Sequence, residues 1–209
     1  MEPLERRLAV GLAKLATAMR AQEWERAGRH RLTPTQAQLL LLLAERRDGY
    51  RVAELAEELS VTRQTVSDSA ATLVRKGLAE KHPVEGDRRG ARLTPTPAGH
   101  EEAARLAGWP DAMRTVLGEL APDEQETLLR ITVKMIRSMQ ERGQMPVARV
   151  CVTCQFFEPN AHPGTPTPHH CRFVDAAFGD AQLQIDCGDH RAAPADRQAE
   201  LWRRFTATA

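Results

Sequence analysis

The stretch VAELAEELSVTRQTVSDSAATLVRKGL, residues 52–78, decides the fold that this sequence predicts. A short amphipathic helix over 52–59 leads into a tight turn, and a second helix follows that either Ser60 or Thr62 can cap through its hydroxyl oxygen. This second helix ends at Gly77, because glycine readily adopts the left-handed conformation that closes a helix. Two short helices joined by a tight turn predict a helix-turn-helix.

A polar tip separates two extended segments directly after this unit. Residues 78–82 and 91–96 have the composition of short strands, and VEGDRRG at 84–90 joins them. We therefore predict a β-hairpin, which after a helix-turn-helix is the wing of a winged helix. The whole DNA-reading unit is expected over about 34–96.

Further helices are predicted on both sides of this unit. Apolar residues recur at helical spacing over 4–24, and Thr33 with Pro34 begins a helix that continues to about residue 46. After the wing the helical pattern resumes at Ala98, breaks near Pro110 and continues from Pro122 to Met139. The predicted fold class is mainly α with a small β-hairpin wing. The terminal helices carry more apolar surface than a small winged helix can cover, which favours a homodimer.

The second helix of the helix-turn-helix is expected to enter the major groove, with Val66, Leu73 and Val74 facing inward. The whole chain carries a net charge of only +1, so a DNA-binding surface must come from local arrangement. Polar side chains early in the helix can reach base edges and phosphates, and arginines at the wing tip can enter the minor groove. The predicted DNA-binding residues are Thr62, Arg63, Gln64, Thr65, Ser67, Arg75, Arg88 and Arg89.

Several of these stretches resemble the MarR family of bacterial regulators over residues 1–142. The matching segments are VAELA at 52–56, TRQTVS at 62–67, LVRKGL at 73–78 and, most specifically, DRR at 87–89 leading into LTPTPAG at 93–99. The resemblance implies a two-fold dimer with interleaved terminal helices. It also implies a pseudo-palindromic double-stranded DNA operator, usually repression, and a small-molecule effector bound between the dimer helices and the winged helix.

Other classes of protein fit the sequence poorly. The longest purely apolar run, 39–44, is far shorter than the roughly 20 residues that span a bilayer, and the N-terminus lacks a secretory pattern, so we expect a cytoplasmic protein with no membrane partner. No Ser-His-Asp order, phosphate-binding loop or dinucleotide fingerprint supports catalysis, so we do not expect an enzyme.

All four cysteines lie in the C-terminal third of the chain. Disulfides are rare in the cytosol, and two thiolates at Cys-x2-Cys spacing can grip a metal from one turn. We predict a MarR-like region over 1–146, a small irregular metal-binding module over 147–192 and a tail over 193–209 that includes a short helix. The predicted ligands are Cys151, Cys154, Cys171 and Cys187, with His190 as an alternative.

Two metals compete for this module. Zinc would take paired knuckles, of which Cys187-Gly188-Asp189-His190 could supply the second. An iron-sulfur cluster, either [4Fe-4S] or [2Fe-2S], would use the apolar residues Phe156, Phe157, Phe173, Val174 and Phe178 as a shell that limits solvent. Residues 151–187 also resemble the cluster-binding segment of high-potential iron-sulfur proteins. We favour the cluster and keep zinc as the alternative.

The predicted function is a transcriptional repressor whose operator affinity depends on the state of the cysteine module, on a small ligand, or on both. One alternative is the same regulator with a purely structural zinc site. A second is a dimeric redox or electron-transfer component that uses the helices only to dimerise. A third is a protein-interaction adaptor with a zinc-stabilised tail.

Overall fold

A computed structural model describes residues 2–46, 48–84, 87–107, 111–145 and 148–207, and for residues 84, 87–90, 111 and 112 it describes the backbone only. The chain divides into two compact units, Met1–Val116 and Leu117–Ala209. No helix within the described ranges is long and apolar enough to cross a membrane.

The first unit is a winged helix, mainly α-helical with a small β-sheet wing, which confirms the predicted fold class. Strands β2 and β3 form the predicted antiparallel hairpin, and β1 adds a third strand in the order β1-β3-β2. The sequence analysis missed β1 because a two-residue strand has no recognisable alternation. The elements are α1 (Leu4–Arg29), α2 (Pro34–Glu45), β1 (Tyr50–Arg51), α3 (Val52–Glu58), α4 (Arg63–Arg75), β2 (Ala79–Val84), β3 (Asp87–Pro95) and α5 (Pro97–Leu106), while α6 (Asp111–Gly118) crosses the division between the units.

Local hydrogen bonds explain where these helices begin and end. Thr33 and Gln36 form a reciprocal capping box at the start of α2. Of the two candidate caps for α4, Thr62 is the one used, since its hydroxyl accepts a hydrogen bond from the Thr65 backbone N–H at 3.1 Å. Gly77 has φ +68°, so it ends α4 as predicted.

The core of the first unit is formed by leucines from α2, α3 and α4 together with Leu93 of β3. Burying each such side chain stabilises the fold by about 1.5–3 kcal/mol. Val66 and Leu73 face inward as predicted, but Val74 is exposed, so its predicted inward position was wrong. Consecutive helical residues are about 100° apart, and Val74 therefore lies outside the buried stripe that contains Leu73.

The second unit combines a long helix with the cysteine segment. Its strands form a small antiparallel sheet in the order β4-β5-β6, which is more regular than the sequence suggested. Val133 of α7 is buried in the same core as Val152, Phe157 and Phe205, so the predicted boundary at residue 147 lies inside this unit. The elements are α7 (Pro122–Glu141), β4 (Phe157–Glu158), β5 (His169–Cys171), β6 (Ala176–Phe178) and α8 (Ala195–Thr206), with 3-10 turns at Cys151–Thr153 and Asp180–Gln182.

Candidate nucleic-acid interface and candidate metal centre

Helix α4 has one buried face and one exposed face. Val66, Ala70 and Leu73 are fully buried, which fixes the rotation of the helix about its own axis. The residues at its N-terminal end, 62–65, are consequently exposed. A recognition helix contacts base edges with this end, so the packing orients α4 as that role requires.

The predicted contact residues on α4 differ in their surroundings. The hydroxyls of Thr62 and Thr65 lie 2.8 Å apart, and the side-chain amide of Gln64 donates a hydrogen bond to Asp68 at 2.9 Å. Arg63 and Arg75 are exposed, whereas Ser67 is half-buried. The Gln64–Asp68 bond uses one of the two amide N–H donors of Gln64, so the second donor and the amide oxygen stay available for a base edge.

The wing contributes one interaction that the sequence analysis did not identify. Arg92 of β3 donates hydrogen bonds to the carbonyl oxygens of Gly49 at 2.7 Å and Asp48 at 3.2 Å, which ties the wing to the segment before α3. A single arginine in a strand carries no sequence signal for such a role. The predicted contacts Arg88 and Arg89 lie in β3, but their side chains are outside the described part of the structure.

Backbone hydrogen bonds bring the four cysteines together. Cys151 and Cys154 lie at the two ends of one turn, closed by the Cys154 N–H donating to the Cys151 carbonyl at 2.8 Å. The Cys187 N–H donates to the carbonyl of Arg149 at 3.0 Å, which places that cysteine beside the turn. Cys171 is the last residue of β5, which is the middle strand of the small sheet. All four thiols line a single cavity of about 280 Å³.

The walls of this cavity, which we call the cysteine cavity, are largely apolar. Among its polar contacts, the Gln184 backbone N–H donates to the Sγ of Cys151 at 3.3 Å. Burial raises the pKa of the Cys151 thiol to about 11, and the neighbouring cysteines add to this effect. The remaining lining residues are Phe156, Phe157, Phe173, Val174, Ala176, Phe178, Gln182, Gln184, Asp189 and His190.

The spacing of the thiols bears on what the cysteine cavity could hold. Structural zinc draws four ligands to within about 2.3 Å of one centre. Within the described ranges, which include all four cysteines, no three His, Cys, Asp or Glu side chains are grouped closely enough to hold a single ion. Four thiols are a donor set that both zinc and iron-sulfur clusters use, and the largely apolar walls are of the kind that limits solvent at a cluster.

His190, the predicted alternative ligand, is among the residues that line the cavity. Its Nε2 lies 3.0 Å from the Thr153 hydroxyl, and burial lowers its pKa, with the positive charge of Arg149 adding to the effect. Another histidine, His169, is fully buried and bound to Asp180, which is paired in turn with Arg130 of α7. The sequence analysis missed this group because its members are far apart in the chain.

The helix-turn-helix, the three-stranded wing and the outward-facing end of α4 define a winged-helix fold. Residues 31–90 match the family model described as MarR family. No curated protein matches the sequence at a significant level.

Solved structures share this fold. A MarR family transcriptional regulator from Streptomyces coelicolor, in complex with DNA, is 27% identical with a TM-score of 0.61, over 70% of this chain and 98% of that chain. The Staphylococcus aureus MepR–DNA complex is 23% identical with a TM-score of 0.58, over 62% and 96% of the two chains. A MarR protein from Peptoclostridium difficile is 19% identical with a TM-score of 0.60, over 68% and 93%. Each of these structures therefore leaves about a third of this chain without a counterpart.

Proposed function

We propose that this protein is a DNA-binding transcriptional regulator of the MarR type, acting as a repressor at a pseudo-palindromic operator. The observation that carries the proposal is the exposed N-terminal end of α4 within a winged helix that matches the MarR family over residues 31–90. The similar proteins from Streptomyces coelicolor and Staphylococcus aureus were both solved bound to DNA. The nearly neutral net charge makes specific contacts from α4 and the wing essential to affinity.

The regulator is proposed to act as a homodimer. Helix α1 exposes an apolar series at helical spacing (Leu4, Leu8, Leu12, Leu15 and Met19), and α7 exposes a second one, which we call the α7 stripe (Leu128, Ile131, Met135 and Met139). Apolar surface of this extent favours burial against a second copy. A two-fold dimer would set two α4 helices in successive major grooves, about 34–36 Å apart, and would therefore read a palindromic operator.

The DNA-binding proposal is tested with Arg63→Ala. Arg63 is exposed in the first turn of α4, and losing a bidentate contact with a guanine costs about 1–3 kcal/mol, so we expect affinity for a selected operator to fall about tenfold or more. Arg20→Ala on α1 removes the same charge outside the helix-turn-helix and should leave the affinity nearly unchanged. Operator fragments selected from genomic DNA with the full chain supply the probe for fluorescence anisotropy. Equal losses in both variants, or no selected sequence, would contradict the proposal.

The finer part of the proposal is that the four cysteines hold an iron-sulfur cluster whose presence or oxidation state alters operator affinity. It is supported by Cys151, Cys154, Cys171 and Cys187, which all line one largely apolar cavity. The apolar walls would exclude solvent from a bound cluster. Structural zinc remains the alternative occupant.

A small-molecule effector is a second proposed signal. The first unit contains a cavity of about 460 Å³, a size typical of ligand sites, and its apolar floor would suit a small aromatic or aliphatic compound. Two glutamates among its lining residues, Glu23 and Glu45, make a neutral or cationic ligand more favourable than an anionic one. The lining residues are Met19, Gln22, Glu23, Gln38, Leu41, Glu45, Ala107 and Met113.

The cluster proposal is tested by comparing operator affinity with and without the bound group. Protein purified without oxygen is divided, and one half is stripped with a chelator and an oxidant. Because allosteric coupling energies are typically about 1–3 kcal/mol, we expect the two dissociation constants to differ about 5- to 150-fold. The same chelator and oxidant treatment of a Cys171→Ser variant should leave its operator dissociation constant unchanged. Identical affinities for the two wild-type forms would leave the module no role in DNA binding.

A further inference from the structure

A buried polar network lies on the far side of the cysteine cavity's aromatic wall. His169 on β5 is fully buried, and its Nε2 donates to Oδ1 of Asp180 at 2.8 Å. Its other ring nitrogen accepts a hydrogen bond from the Asn160 backbone N–H at 3.2 Å, which fixes the tautomer and the orientation of the ring. These two hydrogen bonds hold the histidine ring from both of its nitrogens.

The network continues to the long helix. Arg130 of α7 donates to Oδ2 of Asp180 at 2.5 Å and to the carbonyl oxygen of Phe205 at 3.0 Å, and its guanidinium lies 4.7 Å from the centre of the Phe205 ring. Burial on its own would raise the pKa of Asp180, but the hydrogen bonds from His169 and Arg130 outweigh it and lower that pKa. Asp180 is thus a charged group that binds β5 to α7.

Close packing connects this network to the cysteine cavity. His169 and Cys171 are two residues apart on β5, so their side chains leave the strand on the same face. The rings of Phe157 and Phe178 line the cavity and also pack on His169, with centroid distances of 5.3 and 5.6 Å. A change in what fills the cavity acts on β5 and on these two rings, and both contact His169.

An ionic network is an unusual choice for this position. A buried ion pair seldom stabilises a protein more than well-packed apolar side chains of similar volume, because both charges lose their hydration. What it does provide is directional bonding, so that a shift of one member moves the next or breaks a bond. Packed interiors respond to such shifts by switching between discrete arrangements rather than by continuous deformation.

We propose that Arg130, acting through Asp180 and His169, is the positioning residue that couples the group bound in the cysteine cavity to helix α7. The inference rests on the proposed function, in which that group is an iron-sulfur cluster that alters operator affinity. Arg130 lies on the inner side of α7, and the α7 stripe, proposed to contact the second copy, lies on the outer side. A shift of α7 would therefore reach the dimer contact on which the spacing of the two α4 helices depends.

The test is Arg130→Met, which keeps a long side chain and removes the ionic and hydrogen-bonding groups. We expect the variant to retain the iron content and visible spectrum of the wild type, because Arg130 is not among the residues that line the cavity. The ratio of operator dissociation constants between stripped and cluster-loaded protein should fall to about one. Lys134→Met, one turn along α7 and outside this network, should keep the wild-type ratio.

The possible outcomes separate this inference from the function on which it rests. A wild-type ratio near one would overturn the proposed function and the coupling with it. A clear wild-type ratio that Arg130→Met leaves unchanged would overturn the coupling alone. If Arg130→Met does not fold, Asp180→Asn decides by the same measurement, since it keeps the shape of the central residue and weakens both of its bonds: a ratio near one supports the coupling, and the wild-type ratio overturns it.

Discussion

Gly99 shows how a single residue joins the helix-turn-helix to the helix that follows the wing. A Cβ added there would lie 1.9 Å from the carbonyl oxygen of Leu78, far inside van der Waals contact. Thr96 closes the same junction, because its hydroxyl accepts from the Gly99 N–H and donates to the Gly77 carbonyl. The start of α5 is thereby packed directly on the end of α4.

The close approach at this junction predicts the effect of Gly99→Ala. Because the atom in the way belongs to the backbone, the two segments must separate, and we expect the free energy of unfolding to fall by about 2 kcal/mol. Gly28→Ala in α1 is the matched control, since nothing lies within 4 Å of a Cβ at that position. Its expected effect is a gain of about 0.5–1 kcal/mol from reduced backbone freedom in the unfolded chain. Urea unfolding followed by circular dichroism measures both, and equal effects would contradict the packing described for Gly99.

Residues with a local signal were the ones that the sequence could predict. Thr62 as a helix cap, Gly77 as a helix end and the cysteine quartet each follow from spacing or from conformational preference. Arg92 and the Arg130–Asp180–His169 network gave no such signal, because their partners are distant in sequence and the residue types are common on surfaces.

Helix α7 has one buried face and one exposed apolar face. Val133 and Arg137 are almost completely buried against the cysteine segment and α8, whereas Met135 and the rest of the α7 stripe remain about 40% exposed. The 3.6-residue period predicted the helix but could not assign its faces, since apolar residues occur on both. The sequence analysis likewise missed the sheet β4–β6, whose strands of two or three residues are too short to show alternation.

The outer face of α7 is tested with Met135→Glu. If the α7 stripe is buried between two copies, each dimer acquires two desolvated charges and loses two apolar contacts. We expect the dimer dissociation constant to rise about 100-fold, equivalent to roughly 3 kcal/mol. Lys134→Glu introduces the same side chain one residue away, off the α7 stripe, and should have a smaller effect. Sedimentation velocity over a range of concentrations decides, and a wild-type chain that stays monomeric would refute the dimer contact.

At the scale of the whole molecule, a winged helix that matches the MarR family model over residues 31–90 is followed by a second unit that contains the four cysteines. From the sequence we predicted that α7 belongs to the MarR-like region and that the cysteines form a separate module. The structure packs α7 and the cysteine segment around one core, because the inner face of α7 is apolar at Val133 and Ile136. A bound group in the cysteine cavity would therefore belong to the same cooperative unit as a helix proposed to form the dimer.

We propose above that Cys151, Cys154, Cys171 and Cys187 hold an iron-sulfur cluster, and this proposal has the most direct test. The most direct measurement is the visible spectrum of protein purified without oxygen, together with analysis of its iron, acid-labile sulfide and zinc. The Cys171→Ser variant is purified and measured in the same way. We expect broad absorbance near about 400 nm with iron and sulfide in matching amounts in the wild type, and loss of both in the variant. A colourless wild-type protein with about one zinc per chain would contradict the account and make the module structural.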